Sequence, residues 1–593
     1  MARTNLAAQT LSDRSESAVE LLRVGFPMLP RVDRLPNGLQ EYGRVQPSSD
    51  TAASTRLDID VGRTPWVRRL AGEYADRFDA VAEFYAGNPW TPDGWRDAIR
   101  RVQAQGRDRG PIADVLDAQA VRRAAPSAAR EAIRQLRDPR AVAVVTGQQA
   151  GLFGGPLYTL LKAITALQLA ARARRDHAVP AVAIFWVDSE DHDWEEVRSC
   201  PVLDEELALR SVSLGQPDGA GELPVARIVL DDDIGRALSE LSAALQPTEF
   251  TAEVIAALKD AYRPGVRMAD AFASWMDRLL GPRGLVVFES ADPAAKRFVP
   301  NVFARELAEP GHTASLALAA GEAMRARGHD PQVVPQADAV SLFRLNGGRK
   351  PVRARDGQFL VEDRVIPPAA LVAEAREHPD RFSPNVLLRP IVQDTLFPTV
   401  AYVSGPSELA YLGQLKQLYA HFDVPMPLMY PRASATLLDS ASTRFLSRYG
   451  LPFEELRPQD EAALNRLLEA KLPASVEQAL HAADAAVREQ MAHVVEEVGK
   501  IDPTLGGAAR TTLGRMEHDL RTLHNKIIHA AKRRDETLRR QFSRAQALAF
   551  PGGHPQERTL GLPWFFNRYG WALIERLEAE LPLETGKHYV LTL

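Results

Sequence analysis

An α/β fold built on a parallel sheet is predicted by three observations. Residues 141–145 are an apolar run that ends in a Gly-rich turn. A long amphipathic stretch follows over 156–175. A second apolar run, β-branched and aromatic, occupies 181–187. Strand, helix and strand at this spacing make a βαβ unit, whose crossover requires parallel strands. Further strands are expected at 285–288, 386–391, 400–403 and 427–430, with helical segments between several of them, including 406–421. Apolar residues over 66–137 recur near the helical period, and 204–280 reads as strand pieces and helices inserted into the alternation. The first 53 residues, rich in Pro, Ser and Asn, are expected to form an arm with a short helix at 18–24.

A different element begins near Pro473. Val476, Leu480, Ala483, Val487, Met491, Val494 and Val498 recur at spacings of four and three, and the pattern resumes at Leu513, Met516, Leu520, Leu523 and Ile527. Asp502-Pro503 and Gly506-Gly507 interrupt it, as helix breakers do. Two helices joined by a short turn make an antiparallel coiled-coil hairpin. The expected division is a core over 1–455 with arm and insertions, a hairpin over 456–548, and a segment over 549–593 that returns to the core.

Composition narrows the function. Seventy-two Lys and Arg against 77 Asp and Glu give a net charge of −5 in 593 residues. A protein that coats nucleic acid needs the opposite balance, because phosphate binding wants surplus cations. The lone cysteine, Cys200, excludes an internal disulfide framework and any multi-cysteine zinc site. No apolar run approaches the ~20 residues that span a bilayer. A cytoplasmic protein with neither nucleic-acid nor membrane partners is expected.

Three segments could carry chemistry. In Thr146–Pro156 a Gly-rich turn opens into a helix, where backbone N–H groups and the helix dipole favour anions. It matches neither the P-loop nor G-x-G-x-x-G, so a tight turn that needs glycine explains it equally. Lys162, two turns on, could reach an anion, although a lone lysine there is more often on the surface. The run Asp188-Ser189-Glu190-Asp191-His192-Asp193-Trp194-Glu195-Glu196 follows the second strand directly. So many acids around one His repel one another unless a cation relieves them, which a magnesium ion or substrate ammonium would do. His192 could act there as general base, and an acidic helix cap is the plain alternative. The third segment, 385–393, reads as a strand carrying Arg389, followed by Tyr402 to Glu408 at the next strand end. Arginine facing a sheet crevice suits a carboxylate or phosphate.

Taken together, VTGQQAGLFGGPLYTLLKAITAL, FWVDSEDHDWEEV, SPNVLLRPIVQDTLFPTVAYVSGPSELAYLGQLK and PMPLMYPR resemble the BshC family, the cysteine ligases assigned to the last step of bacillithiol biosynthesis. Gln556-Glu557-Arg558 resembles a late motif of that family. The resemblance implies a Rossmann-like core with inserted connecting segments and a coiled-coil domain that supports a homodimer. It implies that cysteine is joined through its carboxyl to the amine of glucosaminyl malate. Gly147, Gln148, Gln149, Gly151, Gly154 and Tyr158 would line an anion pocket. Glu190, Asp191, His192 and Asp193 would hold the amine or a metal and supply the catalytic groups. Arg389, Gln393, Tyr402, Gly405, Glu408 and Tyr411 would complete the far wall. ATP and Mg²⁺ are compatible with the activation an amide requires, while the motifs fix neither. A nucleotidyl or phosphoryl transferase, and a non-catalytic ligand-binding scaffold, are the alternative readings.

Overall fold

The computed structural model describes residues 56–336, 338–584 and 586–593; the expected arm and its helix at 18–24 lie outside them. Its centre is a five-stranded parallel sheet formed by β1 (Val142–Gln149), β2 (Ala181–Asp188), β3 (Val286–Glu289), β4 (Thr399–Ser404) and β5 (Leu428–Pro431), in the order β5-β4-β1-β2-β3. Both faces of this sheet are covered. Val142 and Val144 point into one core and Ala143 and Val145 into another, as alternate strand residues must. Strands buried on both faces read as unbroken apolar runs, which is why β1 and β2 stand out in the sequence.

Helix α1 (Leu157–His177) crosses from β1 to β2 and buries residues all round, from Leu157 to Ala173. The C-terminal segment closes over it, with Leu562, Phe565 and Phe566 fully buried in the same core. Cys200 lies in that core as well, a free thiol that burial pushes up to about 12. Strand Lys587–Thr592 pairs between Arg56–Asp60, antiparallel, and Ser434–Leu438, parallel.

The inserted region between β3 and β4 carries an antiparallel sheet in which Ala339–Leu345 pairs with Arg349–Arg355 on one side and Phe382–Pro384 on the other. The stretch expected as a strand at 386–391 is instead a turn leading into helix α2 (Arg389–Leu396). Asn385 makes that turn, its Oδ1 accepting from the N–H groups of Leu387 and Leu388. Pro390 then sits in the first helical turn, where its missing N–H costs nothing. After β4 comes the short helix α3 (Glu408–Gly413).

The hairpin consists of α4 (Ala474–Val498) and α5 (Leu505–Arg534), about 38 and 45 Å long at 1.5 Å per residue. Asp502-Pro503 makes the break, and Gly506-Gly507 fall inside α5. Among the described residues no helix is long and apolar enough to cross a membrane.

Candidate active site

The chain runs outward from β1 through β2 to β3, then returns to the other side of β1 to lay down β4 and β5. At such a reversal the connections diverge and leave a crevice outside the carboxyl ends of the strands. A cleft of about 380 Å³ occupies it. Gly147, Gln148 and Gln149 come from the end of β1, Trp186 and Asp188 from β2, Tyr402 from β4, and Glu408 and Tyr411 from α3. Arg389 enters as the first residue of α2, not from a strand end as expected. The inserted sheet contributes Phe343, Arg349 and Pro384.

The acidic run after β2 is relieved by cations from distant segments. Lys296 pairs with buried Glu190. Arg349 donates to Asp191 Oδ1 at 3.0 Å, and the His192 N–H donates to the same oxygen at 2.8 Å. Burial opposes ionisation of Asp191, yet His192 and Arg349 outweigh it and hold the carboxyl at about 2. Among the described residues the Asp188 side chain makes no hydrogen bond, and its ion-pair partner is distant. Its Oδ2 is 3.9 Å from Arg389 Nε, and burial raises its pKa above the usual range.

On the opposite wall Lys162 is 3% exposed, not at the surface. Because α1 is enclosed on every side, its ammonium is carried inward, where it donates to Gly147 O at 2.9 Å and pairs with Glu408 Oε2 at 2.6 Å. Burial would raise Glu408, but Lys162, the Gly405 N–H and Arg389 hold it below the usual range. Arg389 is less well served. It donates to Gln393 Oε1 at 3.2 Å and Tyr411 OH at 3.4 Å, and lies 5.9 Å from the Tyr402 ring centre.

The residues expected at the site divide accordingly. Gly147, Gln148, Gln149, Glu190, Asp191, Arg389, Tyr402, Glu408 and Tyr411 line the cleft. Gln393 and Gly405 stand behind it, holding Arg389 and Glu408. His192 does not line the cleft; its Nδ1 is 3.3 Å from Asp191 Oδ1. Asp193 caps the short helix Trp194–Val197 through the Glu196 N–H. Gly151 and Gly154 do not line the cleft, and their N–H groups are used by Gln149 O and by Gly151 O with Tyr262 OH. Gly154 has φ +95°, and a Cβ there would stand 2.6 Å from Trp275 Nε1, so packing alone demands glycine. Tyr158 accepts from Gln148 Nε2 at 2.9 Å, with Arg432 and Arg558 over its ring.

Of four further participants, the sequence names Asp188 and Glu196 only within the acidic run and Lys162 only as a lysine that could reach an anion, and Arg349 is missed altogether. Asp188 ends a strand that points into the crevice, and Lys162 lies on a helix apolar all round; both signals were readable. Arg349, 158 residues from Asp191, carried none. Glu196 accepts from Gln149 Nε2 at 2.6 Å, and loss of hydration with Asp193, Asp191 and Asp188 nearby pushes its carboxyl up to about 7.

Family models divide the chain close to the end of β5. Residues 57–433 match "Bacillithiol biosynthesis BshC, N-terminal Rossmann-like domain", and 435–593 match "Bacillithiol biosynthesis BshC, C-terminal coiled-coil domain". A protein of Salinibacter ruber is 35% identical over 523 residues, 87% of this chain and 95% of that protein. One of Chlorobaculum tepidum is 32% identical over 483 residues, covering 78% and 84%. One of Koribacter versatilis is 30% identical over 520 residues, covering 88% and 96%. Each of the three bears the name "Putative cysteine ligase BshC". With a Rossmann-like core, a coiled-coil hairpin and a charged cleft at the sheet reversal, the chain belongs to the BshC family of bacillithiol biosynthesis.

Proposed function

We propose that this chain is a cysteine ligase that forms an amide between the carboxyl of L-cysteine and the amine of glucosaminyl malate. The relatives' names supply the cysteine. The observation that carries the reading is Arg389, a guanidinium in a cleft whose nearest carboxylate, Asp188, stands off at 3.9 Å. Lys162, Lys296 and Arg349 each hold a carboxylate at 3.0 Å or closer, so Arg389 is the cation left to receive a ligand's carboxylate.

Amide formation from a carboxylate is uphill in water and requires activation. In the proposed sequence a cysteine carboxylate oxygen attacks ATP, displacing ADP to give an acyl phosphate or pyrophosphate to give an adenylate. The sugar amine then attacks the acyl carbon, phosphate or AMP departs, and the ammonium proton passes to a base. Asp188 is the group we assign to that proton, because it faces the cleft and burial makes its carboxylate more basic. His192, held against Asp191, is the second candidate. Mg²⁺ would enter with the nucleotide; the carboxylates at 190, 191 and 408 are already engaged by protein cations.

We also propose a homodimer through the hairpin in the cytoplasm. Val494, Met516 and Leu523 are 42%, 42% and 48% exposed on its two helices, apolar side chains that a second copy would cover.

The test is an end-point assay by mass spectrometry with cysteine and glucosaminyl malate, with and without Mg-ATP. A condensed thiol formed only with protein and ATP is expected. Nucleotide turnover that ignores cysteine would replace the reading with a nucleotidyl or phosphoryl transferase.

A further inference from the structure

Outside the cleft, one group of potential metal ligands converges at the surface. Glu309 ends helix Pro300–Ala308, Gly311 at φ +82° reverses the chain, and His312 opens helix His312–Ala326. His421 is the last residue of helix Lys416–His421, packed against that helix. One ligand atom from each of Glu309, His312 and His421 lies within 4.8 Å of the other two. The two imidazoles are 4.5 Å apart between centres, with their planes at 54°. Among the described residues none of the three side chains makes a hydrogen bond or ion pair. The neighbouring cation, Arg305, is already bound to Asp423 at 2.8 Å and does not compete for Glu309.

We propose that Glu309, His312 and His421 form a binding site for a divalent transition-metal ion, Zn²⁺ being the ion such a set best fits. Two imidazole nitrogens and one carboxylate oxygen favour Zn²⁺, Ni²⁺ or Cu²⁺ over Mg²⁺ and Ca²⁺, which take oxygen ligands. A tetrahedral ion with bonds of about 2.0–2.1 Å sets its donors about 3.3 Å apart. Rotation of these surface side chains, two exposed and one half-buried, supplies the remaining approach. Three protein ligands leave a fourth position for water.

The ion would join two parts of the fold. Helix His312–Ala326 belongs to the inserted region, whose sheet carries Phe343 and Arg349 to the cleft. Helix Lys416–His421 follows α3, which carries Glu408 and Tyr411 to the other wall. Binding at 309, 312 and 421 would fix those walls relative to each other.

The experiment uses the full chain stripped with chelator, titrated with Zn²⁺ against a chromophoric competitor and with Co²⁺ by visible spectroscopy. One equivalent should bind, with Co²⁺ bands of nitrogen–oxygen ligation and none from sulfur. His312→Ala and His421→Ala should each weaken Zn²⁺ at least about tenfold, Glu309→Gln less, and the double histidine variant should lose the site. Zn²⁺ should raise the unfolding temperature of the native chain and not that of the double variant. Retention of the equivalent in the double variant, or no saturable binding by the native chain below about 100 μM ion, overturns the proposal.

Discussion

The proposal for the cleft turns on Arg389, and its removal has a size that the structure sets. Its side chain is 11% exposed, and its nearest carboxylate is 3.9 Å away. At an effective dielectric of about 20 that separation is worth roughly 4 kcal/mol of attraction, and a ligand carboxylate seated at about 2.8 Å would gain roughly 6. Stripping water from both partners offsets most of this, leaving about 1.5–3 kcal/mol for a hydrogen bond to a charged group. That is about 10- to 150-fold in Kd. Arg389→Met should weaken malate binding by this factor in calorimetry, malate serving as the carboxylate fragment of the substrate. Arg389→Lys should lose about tenfold, keeping a point charge without the planar fork. Because Arg389→Met alone strands Asp188, the variant is measured again with Asp188→Asn, where neither charge remains. A malate Kd within about twofold of the native value in both backgrounds would refute the assignment.

Other outcomes follow from the same geometry. Asp188→Asn should lower turnover about 10²–10⁴-fold in the condensation assay, and a larger loss in His192→Ala would transfer the proton to the histidine. Lys162→Met takes the ion-pair partner from Glu408 and leaves it the Gly405 N–H, which should cost about 3–5 kcal/mol by thermal unfolding, most of it recovered in Lys162→Met/Glu408→Gln; an unaltered single variant would count against the pairing. His588 is buried between Ser434 Oγ and Thr436 Oγ1, and burial lowers its imidazole to about 4, against about 6.5 unfolded. The native state therefore binds fewer protons than the unfolded one. Its contribution of about 3 kcal/mol is complete above pH ~6.5 and is lost as pH falls toward 4. His588→Gln should flatten that slope, and an identical slope would exclude the residue as its source. Met516→Glu with Leu523→Glu should convert the proposed dimer to monomer by light scattering, and a surviving dimer would place the interface elsewhere.

Much of this architecture is legible in the sequence because burial on both faces writes itself as uninterrupted apolar runs, as at β1 and β2. The same rule misled at 386–391. Leu387, Leu388, Ile391 and Val392 are all buried, and a short helix enclosed on several sides has no period to distinguish it from a strand. The Asn385 turn and Pro390 one residue into the helix were the local signs. At the site, residues borne by strand ends and motif segments were readable, whereas Arg349 arrives from an antiparallel sheet whose pairing no local pattern encodes. The acidic run after β2 implied a compensating cation, sought in a magnesium ion or a substrate ammonium. The cations the fold brings to it are protein side chains, Lys296 on Glu190 and Arg349 on Asp191.

The strand Lys587–Thr592 has a consequence for how the molecule is made. It lies between Arg56–Asp60 and Ser434–Leu438, so Arg56 finds its partner at Leu591, 535 residues later. Closing loops of that span is slow, because their entropy is spent before any contact rewards it. During synthesis the strand at 56–60 has no neighbour among the described strands of this sheet until residue 592 has left the ribosome. For that interval it is an unpaired edge, the kind of surface that recruits other nascent chains. Its Arg56 and Asp58, joined by a side-chain ion pair beside Asp60, put charge on that waiting edge, the usual guard against such pairing.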